Sequence, residues 1–196
     1  MVNMRMVFLG TSSAVPTLER GLSSIALLRG AELLLFDAGE GMQRNFIKAG
    51  LGMNKKMKIF ISHMHADHSV GLLGLLQTMA LQGREKSVDI YGEPKLEEFL
   101  RENMRIISFG LTFEIKIHKI ECEGVVVKES DYQVLCCKSK HSVPSYAFCL
   151  KEFNRPGIFD VREAKRLGIP EGELYGKLHH GQDITYDGKL IRSSQV

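Results

Sequence analysis

A short segment rich in metal-ligand residues lies between a predicted buried strand and a predicted apolar helix. The strand is 58–62 (KIFIS), the helix is 69–81, and the sequence between them is HMHADH. Because alternate side chains of a strand point to the same side, His63 and His65 can face one pocket at the strand's C-terminal end. The last two residues of the motif fall where the chain turns into the helix. The segment therefore predicts an α/β protein with a metal site.

The donors of this HxHxDH motif suit zinc, and also manganese or iron, because imidazole and carboxylate groups bind all three metals. We predict that His63 and His65 hold one metal ion, and that Asp67 and His68 hold a second. Neighbouring ions can bridge a water molecule, lower its pKa towards neutrality and offset charge on a phosphoryl oxygen. Asp67 can orient or deprotonate that water, which makes it the candidate catalytic residue. The motif leaves the substrate open.

The rest of the chain alternates predicted strands and helices and then changes character near residue 153. Strands are predicted at 4–10, 22–29, 32–37, 88–92, 113–120, 124–128, 132–139 and 145–151, and helices at 42–49, 95–107 and 161–167. From Phe153 onwards glycine and proline are frequent, which indicates an excursion from the sheet.

Composition and charge are those of an ordinary folded protein. A chain of 196 residues, 44% of them hydrophobic, can form one domain with a substantial core, and it has no apolar run long enough to span a bilayer. The N-terminus has no signal-peptide pattern, so we expect a cytoplasmic protein with free thiols and no membrane partner. The net charge of +3 permits an anionic partner without requiring one.

His141 is a further candidate ligand. It follows a predicted strand and precedes Ser142-Val143-Pro144, a sequence typical of a loop. A loop at a sheet edge can supply a fifth ligand, but a surface histidine has the same sequence context, so the residues alone leave both interpretations open.

Several segments together resemble the ribonuclease Z family of the metallo-β-lactamase superfamily, whose signature is HxHxDH. Residues 8–17 (FLGTSSAVPT) resemble the family's opening. Residues 36–44 (FDAGEGMQR) resemble its DCGEGTQ segment, with Ala and Met in place of Cys and Thr. Residues 141–148 (HSVPSYAF) resemble its third motif, whose leading histidine is a metal ligand. The resemblance therefore implies that His141 joins His63 and His65 on the first metal ion.

The excursion resembles the flexible arm with which that family clamps the body of a precursor tRNA. The matching segments are 157–160, 164–165, 167–170 and 174–178. The resemblance runs from Met6 to Ile191, and it implies a homodimeric, cytoplasmic tRNA 3′-processing endonuclease with two zinc ions. It divides the chain into a metallo-β-lactamase-type portion (1–152), a tRNA-binding arm (153–190) and the start of a C-terminal portion (191–196).

The charge of the excursion gives no independent indication of RNA. Residues 151–192 contain eight Lys or Arg against seven Asp or Glu. If this segment binds RNA, a few placed cations are expected to do so. The candidates are Lys165, Arg166 and Lys177; a solvated face is the alternative.

Family members continue beyond the arm, and their later segment supplies a bridging Asp and further His residues. We therefore expect an αββα sandwich that lacks its C-terminal portion, carries an inserted arm and leaves apolar sheet faces exposed. The second metal ion would have only Asp67 and His68, so the activity of this 196-residue form is in question.

Two other functions remain open at this stage. A metallo-β-lactamase-fold hydrolase of a small ester, thioester or lactam would be consistent with HxHxDH alone. The predicted arm argues against it, because a small substrate does not need a clamp. A truncated, inactive fragment that binds RNA or a partner chain would fit the incomplete ligand set.

Overall fold

The computed structural model describes residues 3–153 and 157–196, which form two compact units. The first unit comprises Met1–Lys128 and Gln133–Lys151, and the second comprises Glu129–Tyr132 and Glu152–Val196. Residues 154–156 of the predicted arm lie outside the described residues.

A six-stranded mixed sheet is the centre of the first unit. Its strands, in spatial order, are β1 (Met4–Gly10), β2 (Ser24–Arg29), β3 (Glu32–Phe36), β4 (Lys56–Phe60), β5 (Val88–Gly92) and β6 (Ile115–Lys119). Strands β1 to β3 pair antiparallel, whereas β3 to β6 pair parallel. The C-terminal ends of β3 and β4 therefore meet at one edge, where the HxHxDH motif begins.

One face of this sheet is covered by helices. They are α1 (Met42–Lys48), α2 (Ala66–Ser69), α3 (Gly71–Leu81) and α4 (Lys95–Ile106). Apolar side chains from α1, α3 and α4 share one core with alternate residues of the strands. This core includes Leu33, Leu35, Met57 and Ile59 from the strands and Leu72 and Leu75 from α3. The helix predicted at 69–81 corresponds to α3, and a separate short helix, α2, precedes it inside the motif.

The opposite face of the sheet carries aromatic rings and meets a second sheet. That three-stranded sheet contains β7 (Gly124–Lys128), β8 (Tyr132–Lys138) and β9 (Tyr146–Glu152). Phe148 of β9 packs against Phe36 and Phe60, with ring centroids 6.1 and 5.2 Å apart. The first unit thus has three layers, in the order helices, six-stranded sheet and three-stranded sheet.

The outer strand β1 leaves apolar side chains uncovered. Met6 and Phe8 are 57% and 62% exposed, and a cleft of about 710 Å³ runs along this face between β1, β2 and β9. Exposed apolar sheet residues were expected from the sequence.

The second unit has a small core of its own. Its elements are α5 (Val161–Arg166), α6 (Glu173–His179), β10 (Ile184–Tyr186), β11 (Lys189–Ile191) and a 3-10 turn at Ser193–Gln195. Buried side chains from these elements pack together: Ala164, Ile169, Leu178, Ile184 and Ile191. Only α5 was predicted from the sequence. Across the described ranges, no helix has the length and apolarity needed to cross a membrane.

Candidate metal centre

Two histidines of the motif follow strand β4 directly. His63 is buried and lies three residues beyond Phe60, the last residue of β4. His65 has extended backbone angles and precedes α2, which contains the other two donors of the motif. The strand-to-helix turn therefore places the motif as the spacing predicts.

The structure brings His141 to these two histidines. Its Nε2 atom lies 3.1 Å from Nδ1 of His65, although 76 residues separate them in sequence. Each of His63, His65 and His141 offers one nitrogen atom, and the three atoms lie within 4.8 Å of one another. In residues 3–153 and 157–196 this is the only group of three or more His, Cys, Asp or Glu side chains that meets that distance.

The loop that carries His141 is held at both ends. The amide of Ser139 donates to the carbonyl of Ser145 at 2.8 Å, and this bond closes the loop between β8 and β9. The amide of Tyr146 donates to the carbonyl of Ser62 at 2.9 Å, which attaches the loop to the residue before His63. These bonds fix the distance between the loop and the motif.

Asp67 and His68 form a second pair of donors. Oδ2 of Asp67 lies 3.4 Å from Nε2 of His68, and both side chains are largely buried. The pair adjoins the three-histidine group, because the ring centroids of His63 and His68 lie 4.1 Å apart. The division of these five residues between two metal ions stays a prediction.

Asp37, at the end of β3, was not predicted as a site residue, yet it supports both sets of donors. Its Oδ1 accepts the amide of Ser62 at 2.7 Å, and its Oδ2 accepts the Ser62 hydroxyl at 2.9 Å. The same Oδ2 lies 2.6 Å from Nδ1 of His68, and the Ser62 hydroxyl lies 2.9 Å from Nδ1 of His63. Asp37 therefore orients His68 directly and His63 through Ser62.

These contacts define the tautomers of two histidines when they are neutral. If Nδ1–H of His68 donates to Asp37 and Nδ1–H of His63 donates to Ser62, the Nε2 lone pairs stay free. A carboxylate or hydroxyl behind a ligating imidazole is the usual support of a metal ligand.

Burial and charge move the pKa values of these histidines in opposite directions. Burial, followed by the nearby His68, lowers the pKa of His63, which favours the neutral, ligating form. The hydrogen bond to Asp37 raises the pKa of His68, against the effect of burial. Three imidazoles beside a carboxylate and a further imidazole fit zinc and related divalent ions by donor type.

The backbone next to Asp37 lies against the motif without space for side chains. A Cβ atom on Gly39 would come 2.7 Å from the carbonyl oxygen of Asp67, and one on Gly71 would come 2.0 Å from the carbonyl oxygen of Gly39. The amide of Ala38 also donates to the carbonyl of His68 at 2.7 Å. Glycine at both positions therefore permits the contact that supports the motif.

The three cations predicted to bind RNA are exposed and ion-paired within the second unit. The pairs are Lys165–Glu171 at 2.8 Å, Arg166–Glu163 at 2.5 Å and Lys177–Glu173 at 2.7 Å. Exposed pairs of this kind contribute little to stability, so a phosphate could replace the acidic partner. Their RNA contacts remain a prediction.

The fold is that of metallo-β-lactamase fold proteins, which the motif predicted. The metallo-β-lactamase fold protein YhfI from Bacillus subtilis superposes with a TM-score of 0.58 at 19% identity, over 76% of this chain and 57% of that chain. The structure of human tRNase Z, short form, superposes with a TM-score of 0.70 at 31% identity, over 76% of this chain and 66% of that chain.

The model of the family described as Anti-Pycsar protein Apyc1 matches residues 4–155, and the chain belongs to this family. Ribonuclease Z of Nitrosopumilus maritimus is 49% identical over 193 residues, which are 98% of this chain and 64% of that protein. Ribonuclease Z of Methanothermobacter thermautotrophicus is 42% identical, over 98% of this chain and 62% of that protein. The resemblance to ribonuclease Z is thus confirmed, and the chain spans about three fifths of these relatives' length.

Proposed function

We propose that the chain is the metal-binding and substrate-binding part of an endoribonuclease that removes the 3′ trailer from precursor tRNA. One observation carries the proposal: the similarity to ribonuclease Z extends through the second unit. The Apyc1 family model ends at residue 155, whereas the alignment with the Nitrosopumilus enzyme covers 98% of the chain. A separate unit beyond the hydrolase fold suits a large substrate and is superfluous for a small one.

The residues of the centre divide the work. His63, His65 and His141 would hold one metal ion, and Asp67 and His68 would contribute to the second. When bound, the ions supply a water of lowered pKa and offset negative charge on the phosphoryl oxygens. Asp67 would orient such a water and accept its proton, while Asp37 keeps His68 in place.

Three finer points of the proposal rest on the family resemblance. The metal is zinc, with two ions in the complete site, because zinc prefers nitrogen and carboxylate donors of this kind. The protein is a homodimer, and it acts in the cytoplasm, where precursor tRNA is available.

The test is cleavage of a precursor tRNA with a labelled 3′ trailer, in the presence of zinc and then of a chelator. The 196-residue chain and a version extended to the full length of its relatives are compared, and His65→Ala in the extended version is the control. Trailer release that needs metal and His65 supports the proposal. No chelator-sensitive release by the extended version would contradict it.

A hydrolase of a small ester is the alternative, because the Apyc1 family model covers the first unit without most of the second. Replacing residues 153–189 with a short linker separates the two functions. The proposed nuclease loses precursor-tRNA binding and keeps hydrolysis of a small phosphodiester. If the protein is instead a small-substrate hydrolase, the variant hydrolyses the small ester at an unchanged rate, and neither variant nor unaltered protein binds precursor tRNA.

An inactive RNA-binding fragment is the other alternative, since Asp67 and His68 belong to no group of three or more close donor atoms in the described part of the chain. Zinc bound per chain distinguishes it. Two tightly held ions in the 196-residue form would exclude this alternative, and RNA binding without any metal would support it.

A further inference from the structure

A cleft opens beside His141 on the loop between β8 and β9. Its volume is about 430 Å³, within the range of small-ligand sites. The wall includes Lys138, Ser142, Val143, Pro144 and Ser145, and His141 itself lines one side. A group bound in the cleft is therefore in contact with a residue of the metal centre.

One lysine lines this cleft, a second is adjacent to its lining residues in sequence, and neither has an acidic side-chain partner in the described part of the chain. Lys138 lines the cleft, and Lys140 lies between Ser139 and His141, which both line it. Both lysines are exposed, and neither side chain forms an ion pair with an acidic group of the described chain. The backbone of Lys138 does contact an acidic group, because Oε1 of Glu123 accepts the Lys138 amide at 2.6 Å. These lysines thus differ from Lys165 and Lys177 of the second unit, whose charges are already paired.

The cleft is fixed relative to the metal centre. The Ser139–Ser145 bond closes the loop, and the bond from Tyr146 to Ser62 attaches its end next to His63. Tyr146 is anchored further, since its hydroxyl donates to the carbonyl of Ile120 at 2.9 Å. A strand bound in the cleft would therefore keep a constant position relative to the reacting bond.

We propose that this cleft binds a phosphate and the adjoining nucleotide of the single-stranded RNA next to the scissile bond. Lys138 and Lys140 bind the phosphate, the hydroxyl of Ser142 adds a hydrogen-bond donor, and Val143 with Pro144 contacts the sugar or base. Cations beside an apolar wall suit a single strand, whose phosphates are charged and whose bases are apolar on their faces. The proposal rests on the proposed nuclease function and assigns a substrate subsite to it.

The test measures binding of a fluorescein-labelled RNA hexanucleotide to the metal-free 196-residue chain, by anisotropy at several salt concentrations. Each lysine lost should weaken binding about 3-fold, and the double variant Lys138→Ala/Lys140→Ala about 10-fold. The slope of log K against log salt should fall by about 0.7 for each lysine, the value for single strands. The variant Lys138→Arg/Lys140→Arg should retain the affinity, because the charges are kept.

The matched control is Lys48→Ala, an exposed lysine in the last turn of α1. Equal affinity and equal salt slope in the double variant and in this control would overturn the proposal, as would an absence of hexanucleotide binding by the unaltered chain. Metal content is measured in every variant and should not change, since no metal ligand is altered.

The same double variant in the extended protein keeps this proposal separate from the nuclease function. Cleavage of precursor tRNA with an increased KM supports the cleft, and cleavage with an unchanged KM contradicts it. Loss of hexanucleotide affinity in a protein that never cleaves tRNA supports the cleft and counts against the nuclease.

Discussion

Nδ1 of His68 lies 2.6 Å from Oδ2 of Asp37, although the two residues are 31 positions apart in sequence. Asp37 directly follows β3, and the neighbouring parallel strand β4 leads into the motif, so the sheet itself brings the two residues together. Asp37 also has a positive φ of 58°, a conformation that Asp tolerates better than most residues. This carboxylate therefore supports the ligands of both proposed metal positions without being one of the predicted ligands.

Replacing Asp37 with Asn should weaken metal binding and leave the fold intact. The amide oxygen can still accept the Ser62 amide, but the NH₂ group cannot accept from His68. Loss of a partner behind a ligand typically lowers metal affinity about 10- to 100-fold. Zinc affinity is measured by competition with a chromophoric chelator. The matched control is Asp89→Asn, because Asp89 also holds a histidine, His118, at 2.8 Å, and equal losses in the two variants would contradict the assignment.

The same variant should alter the pH dependence of stability of the metal-free chain. Asp37 raises the pKa of His68, so the stabilisation is fully present below the ordinary histidine pKa of 6.5 and is lost as the pH rises through the folded-state value. Asp37→Asn should therefore lower the pKa of His68 and destabilise the protein more at about pH 5.5 than at about pH 8.5. An NMR titration of His68 and urea unfolding at both pH values test this; a His68 pKa that does not fall would contradict it.

Gly39→Ala should disturb the motif through its backbone. The added Cβ would come 2.6 Å from Cβ of Leu22 and 2.7 Å from the carbonyl oxygen of Asp67, so the loop or α2 must move. Overpacking of this kind costs about 1–3 kcal/mol. We expect that loss in urea unfolding, together with weaker zinc binding. Gly110→Ala is the control, since its Cβ would meet nothing within 4 Å, and equal behaviour of the two variants would show that the contact is unimportant.

The motif and the order of the main elements could be predicted from the sequence because both depend on local spacing. The spacing of His63 and His65 indicated that their side chains share one side of an extended segment, and apolar runs mark β3, β4 and α3. The position of His141 required the family resemblance, since nothing local encodes a contact across 76 residues. Asp37 was missed because a single Asp at a strand end is ordinary, and only the pairing of β3 with β4 reveals its partner.

The second unit was harder to predict for a physical reason. Glycines at 172, 176, 181 and 188 interrupt the patterns that would have marked α6 and the β10–β11 hairpin. Two of its ion pairs could have been read from spacing, because Glu163 and Arg166 are three residues apart and Glu173 and Lys177 are four. The third pair, Lys165–Glu171, depends on the turn after α5.

His141→Ala should remove one of three donors from the first metal position. His141 is exposed, so the fold should persist. Zinc affinity should fall by more than about 100-fold, the upper value for loss of a residue that only supports a metal ligand. Equilibrium dialysis with zinc, and the visible spectrum with Co²⁺, report affinity and coordination. His118→Ala, which alters a histidine on β6 outside this group, is the control. Unchanged zinc affinity in His141→Ala would remove this residue from the ligand set.

Leu178→Ala tests whether the second unit depends on its own small core. Leu178 is 2% exposed and packs with Ala164, Ile169 and Ile184, so the cavity should cost about 2–5 kcal/mol. Amide hydrogen exchange should accelerate in α5, α6, β10 and β11 while β3 to β5 stay protected, because those strands belong to the other unit. Leu190→Ala, at a residue 63% exposed on β11, should change neither. Faster exchange in β3 to β5 as well would mean that the two units unfold together. If precursor-tRNA affinity survives unfolding of the second unit, that unit is not part of the substrate-binding surface.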